Sequence, residues 1–295
     1  MSTQLLEGDI VRLRDGSVWV IKGCAHPPGG YVALPRVVDG RKFKRFSESI
    51  EVVNRYYLHY LKNLREIGRR VPIVPEQDIV EIRRWILDGL RVGDIEAQKL
   101  LQLLASRGLK CGIAGSYLGG YSQSSSDIDI HCLDKPEAYS EVRSLYLERV
   151  LEHLSLSEAV VELAEVSESI DLKIHAYFIT KRYLQGRYRS RKVTIRIVNC
   201  DRVRDFLGPY VDVRNSELIA KISESDYRTP AIIKAEVVRT SAQTNCSIYL
   251  ISHRLRFAEL PEGTILSIRG AIETNYLGYL IVNLDAASLD WISLD

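Results

Sequence analysis

The chain lacks the marks of several large protein classes. Its 295 residues include one Met and five Cys, with no Cys-x-x-Cys pair. The cysteines (Cys24, Cys111, Cys132, Cys200, Cys246) are scattered, so neither a zinc site nor a disulfide framework is expected, and reduced, mostly buried thiols are the simpler reading. No apolar run approaches the ~18 residues of a membrane-spanning helix, and the N-terminus, MSTQLLEGDIVRLRDG, carries no basic-then-apolar leader. A cytoplasmic protein without membrane partners is therefore expected. A Walker A loop and a Gly-x-Gly-x-x-Gly fingerprint are both missing, which leaves ATPase and dehydrogenase readings without support. Lys is scarce beside Arg, 12 against 28, a tilt toward thermophilic composition.

What is present reads as an ordinary soluble globular chain, 46% hydrophobic and 26% charged, long enough for one to three domains. The net charge of +2 is unevenly placed: residues 1–75 carry +6, 76–180 carry −8, 181–205 carry +7 and 206–295 carry −3. An acidic middle between basic stretches suits either a metal site with arms for a polyanion or solvated charged faces.

Residues 9–22 read as a hairpin turning at Asp15-Gly16, which would pair Leu13 with Val18 and Val11 with Val20. Trp19 would then share a face with Arg12 and Arg14, to stack a base or to pack. The stretch Val71-Pro72-Ile73-Val74-Pro75 reads as a stiff linker. Helical spacing follows in 76–91 and 94–107, with Asp94 as N-cap and Gly108 as stop. A helix is expected over 136–154, strands over 159–166, 170–179 and 193–199, and a basic loop over 181–192. Short strands after about 206 suggest a small barrel or sandwich.

Residues 111–133, CGIAGSYLGGYSQSSSDIDIHCL, organise the rest. They read as strand, tight turn, short helix, strand. Gly115 lets the backbone approach a ligand, and Ser116 opens a helical turn whose free N–H groups favour phosphate. Asp127, Asp129 and His131 alternate on one strand face, with Ile128 and Ile130 on the other. Along 171–175, Asp171, Lys173 and His175 would share a face in the same way. Three carboxylates crowded in one cleft repel one another by several kcal/mol per pair, on the order of 4 kcal/mol at 4 Å and an effective dielectric of 20. Mg²⁺ or Mn²⁺ with oxygen ligands would relieve that repulsion.

Gly115, Ser116, Gly120, Ser126, Asp127 and Asp129 together resemble the signature of the DNA polymerase β-like nucleotidyltransferase superfamily, over about 112–179. Length and layout also resemble a group of archaeal predicted nucleotidyltransferases. The resemblance implies an α+β fold: a nucleotidyltransferase core of mixed sheet backed by helices (73–205), flanked by small β-rich modules at 1–72 (with a closing helix) and 206–295. It implies ATP or another nucleoside triphosphate as substrate and Asp127, Asp129 and Asp171 as catalytic metal ligands, with two ions ~3.5–4 Å apart. Gly115 and Ser116 would bind the β- and γ-phosphates, with Gly120, Ser126 and Lys173 completing the nucleotide site. Lys181, Arg182, Arg187, Arg189 and Arg191 would grip an acceptor or form a solvated loop.

The activity so implied is transfer of a nucleoside monophosphate to an acceptor hydroxyl on RNA, DNA, a protein or a small molecule, with release of pyrophosphate. The competing reading is a non-catalytic nucleic-acid-binding or scaffold protein. A sugar-nucleotide glycosyltransferase, which also uses Asp-x-Asp, is disfavoured by the upstream Gly-Ser turn.

Overall fold

The structure, a computed structural model, describes residues 4–165, 172–240 and 246–293. Its first layer contains β1 (Ile10–Leu13), β2 (Val18–Ile21), β3 (Gly30–Val38), β4 (Arg41–Lys42), α1 (Phe46–Tyr56), β5 (Leu61–Leu64), β6 (Arg69–Pro75) and β7 (Ile79–Arg83). These strands form one sheet in the order β5-β6-β3-β2-β1-β7, with β4 on the margin of β3.

The first hairpin closes one residue away from the expected register. Val11 lies opposite Trp19 and Arg12 opposite Val18, because Leu13 donates its N–H to the carbonyl of Ser17 (2.9 Å) and lengthens the turn. A slip of one residue exchanges the two faces of a strand. Trp19 therefore lies in the core, fully buried and edge-on to Tyr57 and Tyr60. Its indole N–H donates to Ser17 Oγ at 2.8 Å, so it is a packing residue. The helix expected over 76–91 is also replaced. Ile79, Val80 and Ile82 are β-branched, and β7 pairs with β1 (Val11↔Ile82, Arg12↔Glu81), satisfying backbone groups that a helix would have left open on β1.

The middle layer runs α2 (Ile95–Ser106), β8 (Cys111–Ile113), α3 (Gly115–Gly119), β9 (Ile128–Leu133), α4 (Ala138–Leu147), α5 (Leu156–Glu165), α6 (Leu172–Ile179), β10 (Gln185–Tyr188) and β11 (Arg191–Val198). Asp94 caps α2, accepting the N–H of Ala97 at 2.9 Å. The sheet order is β10-β11-β9-β8, with β9 parallel to β11 and antiparallel to β8. Ile128, Ile130, Val193, Ile195 and Ile197 share a core with Leu100 and Leu104 of α2 and Val142 and Leu145 of α4. Strand alternation sends Asp129 and His131 to the opposite face. That face meets the first layer, where Ile10, Val18, Val20 and Leu34 pack with Ala114, Leu118 and Val198.

The segments expected as strands over 159–166 and 170–179 are instead helical where described. In α5, Ala159 and Leu163 are buried while Val160 and Val161 face solvent, a helical period that overrides the strand preference of the Val pair.

After a 3₁₀ turn at Asp201–Phe206 come β12 (Tyr210–Glu224), β13 (Arg228–Thr229), β14 (Ala231–Thr240), β15 (Ser247–Ser252), β16 (Ile265–Asn275), β17 (Leu280–Asn283) and β18 (Ser288–Ser293). The order β12-β14-β15-β17-β16 closes on itself through β12–β16, and β18 flanks β16. The result is a closed five-stranded Greek-key barrel. Ala220, Ile222, Ile233, Leu250, Leu266, Ile268 and Val282 fill its interior.

Two further sequence expectations are overturned. The chain is not the helix-backed nucleotidyltransferase α+β fold. Among the described residues strand makes up 39% and helix 27%, and antiparallel sheets and a closed barrel dominate. The physical reason is long-range pairing: β7 joins β1, and β12 closes on β16 across about fifty residues of chain. No local pattern announces such pairing. The cysteines also differ from expectation. Cys24 bonds to Cys200 with Cα atoms 5.2 Å apart, and Cys111 bonds to its cross-strand neighbour Cys132 at 4.0 Å. Strand register and layer contact created both pairs, over separations of 176 and 21 residues.

Candidate functional site

The turn from β8 into α3 stands over the polar face of β9. Gly115 has φ +59°, and a Cβ placed on it would lie 2.0 Å from Asp129 Oδ2. Only glycine accommodates both the left-handed backbone and the carboxylate. The Asp129 carboxylate is half-buried, and no hydrogen bond or ion pair reaches it among the described residues. Desolvation pushes its pKa up to about 6. The Arg196 guanidinium opposes that rise and the neighbouring Asp127 carboxylate adds to it. Asp127 sits just before β9, half-exposed, with Oδ2 3.6 Å from Lys192 Nζ. Lys192 also donates to Glu162 Oε2 at 2.9 Å.

α3 is five residues long and ends at Gly120, whose φ of +73° turns the chain. Ser126 Oγ accepts the N–H of Gln123 at 2.8 Å. Gly120 and Ser126 thus shape the loop that leads into Asp127. The carbonyl of Ser126 accepts from Arg191, which also holds Asp94 (2.5 Å) and Tyr117 Oη (2.5 Å). Arg191 is a clamp across the loop, α2 and α3.

The remaining basic candidates are dispersed. Arg187 pairs with Glu158 (2.5 Å), Arg189 with Glu96 (3.7 Å), and Lys181 lies over the Tyr177 ring. Arg182 is buried and donates to the carbonyl of Arg256. Asp171 lies outside the described residues. Lys173 and His175 belong to α6, so the shared strand face expected for 171–175 does not form. His175 is fully buried.

The register of β11 on β9 supplies side chains the sequence reading passed over. Thr194 stands opposite Asp129 and Arg196 opposite His131. Lys192, one step earlier, reaches Asp127. The alternation Lys192-Thr194-Arg196 against Val193-Ile195-Ile197 is plain in the sequence once the strand is started at Arg191. At the inner end of the face, His131 Nδ1 meets the Glu7 carbonyl at 3.2 Å.

Does a divalent cation fit? Asp127 and Asp129 offer oxygen donors two residues apart, and the half-buried Asp129 carboxylate has no hydrogen bond or ion pair among the described residues. That donor set suits one hard cation whose shell phosphate oxygens complete. Among the described residues no group of three or more His, Cys, Asp or Glu is placed to hold a metal.

No family model, curated protein or solved structure matches the chain. No helix among the described residues is long and apolar enough to cross a membrane.

Proposed function

We propose that the chain is a metal-dependent nucleotidyltransferase that moves a nucleoside monophosphate from a nucleoside triphosphate to an acceptor hydroxyl, releasing pyrophosphate. The observation that carries this reading is the unpartnered Asp129 carboxylate lying against the Cα of Gly115, with Asp127 beside it. A half-desolvated carboxylate with neither a hydrogen bond nor an ion pair is unfavourable when ionised, and a cation would complete it. Asp127 and Asp129 would hold Mg²⁺ or Mn²⁺, which supplies charge neutralisation at the phosphates; a second ion would need a further ligand, for which Asp171 is the candidate. Gly115 leaves room for the Asp129 carboxylate against the turn. Arg191 fixes the Ser126 carbonyl, and through it the entry of Asp127 into the site.

The acceptor is read as a nucleic acid or a protein hydroxyl, and the cytoplasm remains the proposed location. The test is transfer of label from each α-phosphate-labelled ribonucleotide to RNA, DNA or protein extracts, with Asp129→Asn as control. Label moved by wild type alone supports the reading. Equal labelling by the variant would sink it.

A second reading has one specific observation behind it. The Lys192 ammonium lies between Asp127 and Glu162, where it can do a cation's electrostatic work. A binding protein without catalysis would keep such a pair permanently closed. Nucleic-acid binding that is indifferent to Mg²⁺ and to loss of both aspartates would favour this alternative.

A further inference from the structure

β7 is the last strand of the first sheet. It pairs with β1 on one side, and no strand pairs with its other side among the described residues. The ladder shows which backbone groups lie open there. Along 9–13 the Asp9 carbonyl accepts from Ile21 (2.8 Å) and Leu13 donates to Ser17 (2.9 Å), so the odd-numbered residues turn their backbone groups toward β2. Ile10 and Arg12 turn theirs toward β7, where they face Arg83 and Glu81. Ile82, between those two, directs its N–H and C=O away from β1, to the outer edge. The edge is closed one step further on: the N–H of Arg84 donates to Asp88 Oδ2 (2.6 Å), and the Arg84 carbonyl accepts from Leu87 and Gly89.

A cleft of about 340 Å³ lies against this open stretch, and Glu81, Ile82 and Arg83 line it in succession. Side chains of a strand alternate between its faces, so a wall made by three consecutive residues is the strand's backbone edge. The opposite walls are Gly89, in the 3₁₀ turn Asp88–Leu90, and Tyr117 and Leu118 of α3. That turn is seated closely on β8: a Cβ on Gly89 would stand 2.2 Å from the Ile113 carbonyl oxygen. Arg83 ties β7 to α3 through the Leu118 carbonyl (3.1 Å). Fixed elements thus bound the cleft.

Natural sheet edges are usually blunted by charge, proline or a covering element. Here the face of β7 turned away from α3 shows Val80 and Ile82 to solvent, 58% and 44% exposed, and Leu87 and Leu90 are exposed beyond it. The charged residues of the cleft balance, Arg83 and Arg91 against Glu81 and Asp88, which gives a polyanion no net attraction. An extended chain answers each feature. Its N–H and C=O groups pair with those of Ile82, and its alternate side chains enter the cleft and cover the apolar residues.

We infer that the outer edge of β7 is a docking site for an extended peptide segment of a partner protein, which joins the first sheet as an added strand beside Ile82. This docking stands apart from nucleotidyl transfer and does not depend on it. Tyr117 and Leu118 belong to the helix whose first residue, Gly115, abuts Asp129, so the docked peptide and the candidate site share α3.

The test selects binders of the full chain from a phage-displayed library of unbiased peptides about ten residues long, enough for one strand. Selected peptides are synthesised and titrated by fluorescence anisotropy. Proline is tolerated on an edge strand where its nitrogen faces solvent, so Ile82→Pro removes the outward donor and keeps the sheet. Ile82→Lys blunts the same edge with charge. Each variant is expected to bind about tenfold or more weakly than wild type. A peptide N-methylated at alternate residues should lose as much in the register that pairs with β7 and bind normally in the other, because its side chains are kept and only its donors change. No enriched peptide, or peptides that bind both Ile82 variants as tightly as wild type, overturns the inference. Sedimentation of the chain alone should show no association through this edge. A dimer that Ile82→Lys dissolves would assign the edge to a second copy of the chain and overturn the peptide assignment.

Discussion

The Cα of Gly115 faces the carboxylate of Asp129 so closely that a methyl group there would stand 2.0 Å from Oδ2. The backbone at Gly115 is also left-handed, at φ +59°. Gly115→Ala thus meets two costs at once, strain of roughly 1–2 kcal/mol at a left-handed position and displacement of the carboxylate. The expected outcome is a melting temperature several degrees lower, together with loss of metal-dependent nucleotide binding. Wild-type binding in Gly115→Ala would show that this approach is not part of the site.

Asp129 should destabilise the protein when ionised. Its folded pKa is raised from 3.8 to about 6, chiefly by desolvation. Below about pH 4 the group is protonated in both folded and unfolded states and contributes nothing. Between those values the native state holds the extra proton, so stability falls as pH rises, and above about 6 the full penalty applies. Asp129→Asn is therefore expected to melt higher than wild type at pH 7–8, with the gap closing as pH falls toward 4. Thermal melts across that range check it, and Mg²⁺ should raise the wild-type value alone.

Much of this site was legible before the fold was known, because it depends on local chemistry. A glycine beside a serine, and two aspartates flanking Ile128, need only short-range geometry to be read together. The remainder depended on pairing. Arg196 and Thr194 come beside His131 and Asp129 only through the β9–β11 register. Trp19 moved from a polar face to the core through a turn one residue longer than expected. The α5 segment carries the Val160-Val161 pair and α6 a polar-apolar alternation from Lys173 to Ala176, both of which read as strand, and packing of Ala159 and Leu163 with Ala176 and Ile179 accompanies their helical form. The closed barrel could not be distinguished from a sandwich, since both use the same alternation.

Glu7 should support the fold in the opposite pH direction. Burial raises its pKa, but the Lys22 ammonium, His253, Arg196 and the N–H of Gly23 outweigh that, and it falls from 4.5 to about 2. Its stabilisation is present above about pH 4.5 and is lost as pH drops toward 2. Glu7→Gln is expected to cost on the order of 3 kcal/mol at neutral pH, with the difference from wild type shrinking in acid. Denaturant titrations at pH 7 and pH 3 measure the full contribution and its partial loss.

Cys24–Cys200 links the first sheet to the end of β11 across 176 residues of chain. Closing so long a loop restricts the unfolded chain, and the stabilisation expected is about 2–4 kcal/mol. Cys200→Ser should lower the melting temperature by several degrees in oxidising buffer, and a reducing agent should then have a smaller effect on the variant than on wild type.

Lys192 separates the two functional readings. Its ammonium is shared by Asp127 and Glu162, so Lys192→Met should free Asp127 for a cation. The account expects stronger thermal protection by Mg²⁺ in the variant than in wild type; equal protection would mean that Asp127 takes no part in holding the ion.

The central claim is that Asp127 and Asp129 hold a metal-bound nucleoside triphosphate beside Gly115. Equilibrium binding of a labelled nucleoside triphosphate, with Mg²⁺ or with a chelator, to wild type, Asp127→Asn and Asp129→Asn tests it most directly. The account predicts binding by wild type that the chelator abolishes and that each variant loses. Binding of equal strength without the ion, or by folded Asp129→Asn with it, would contradict the claim.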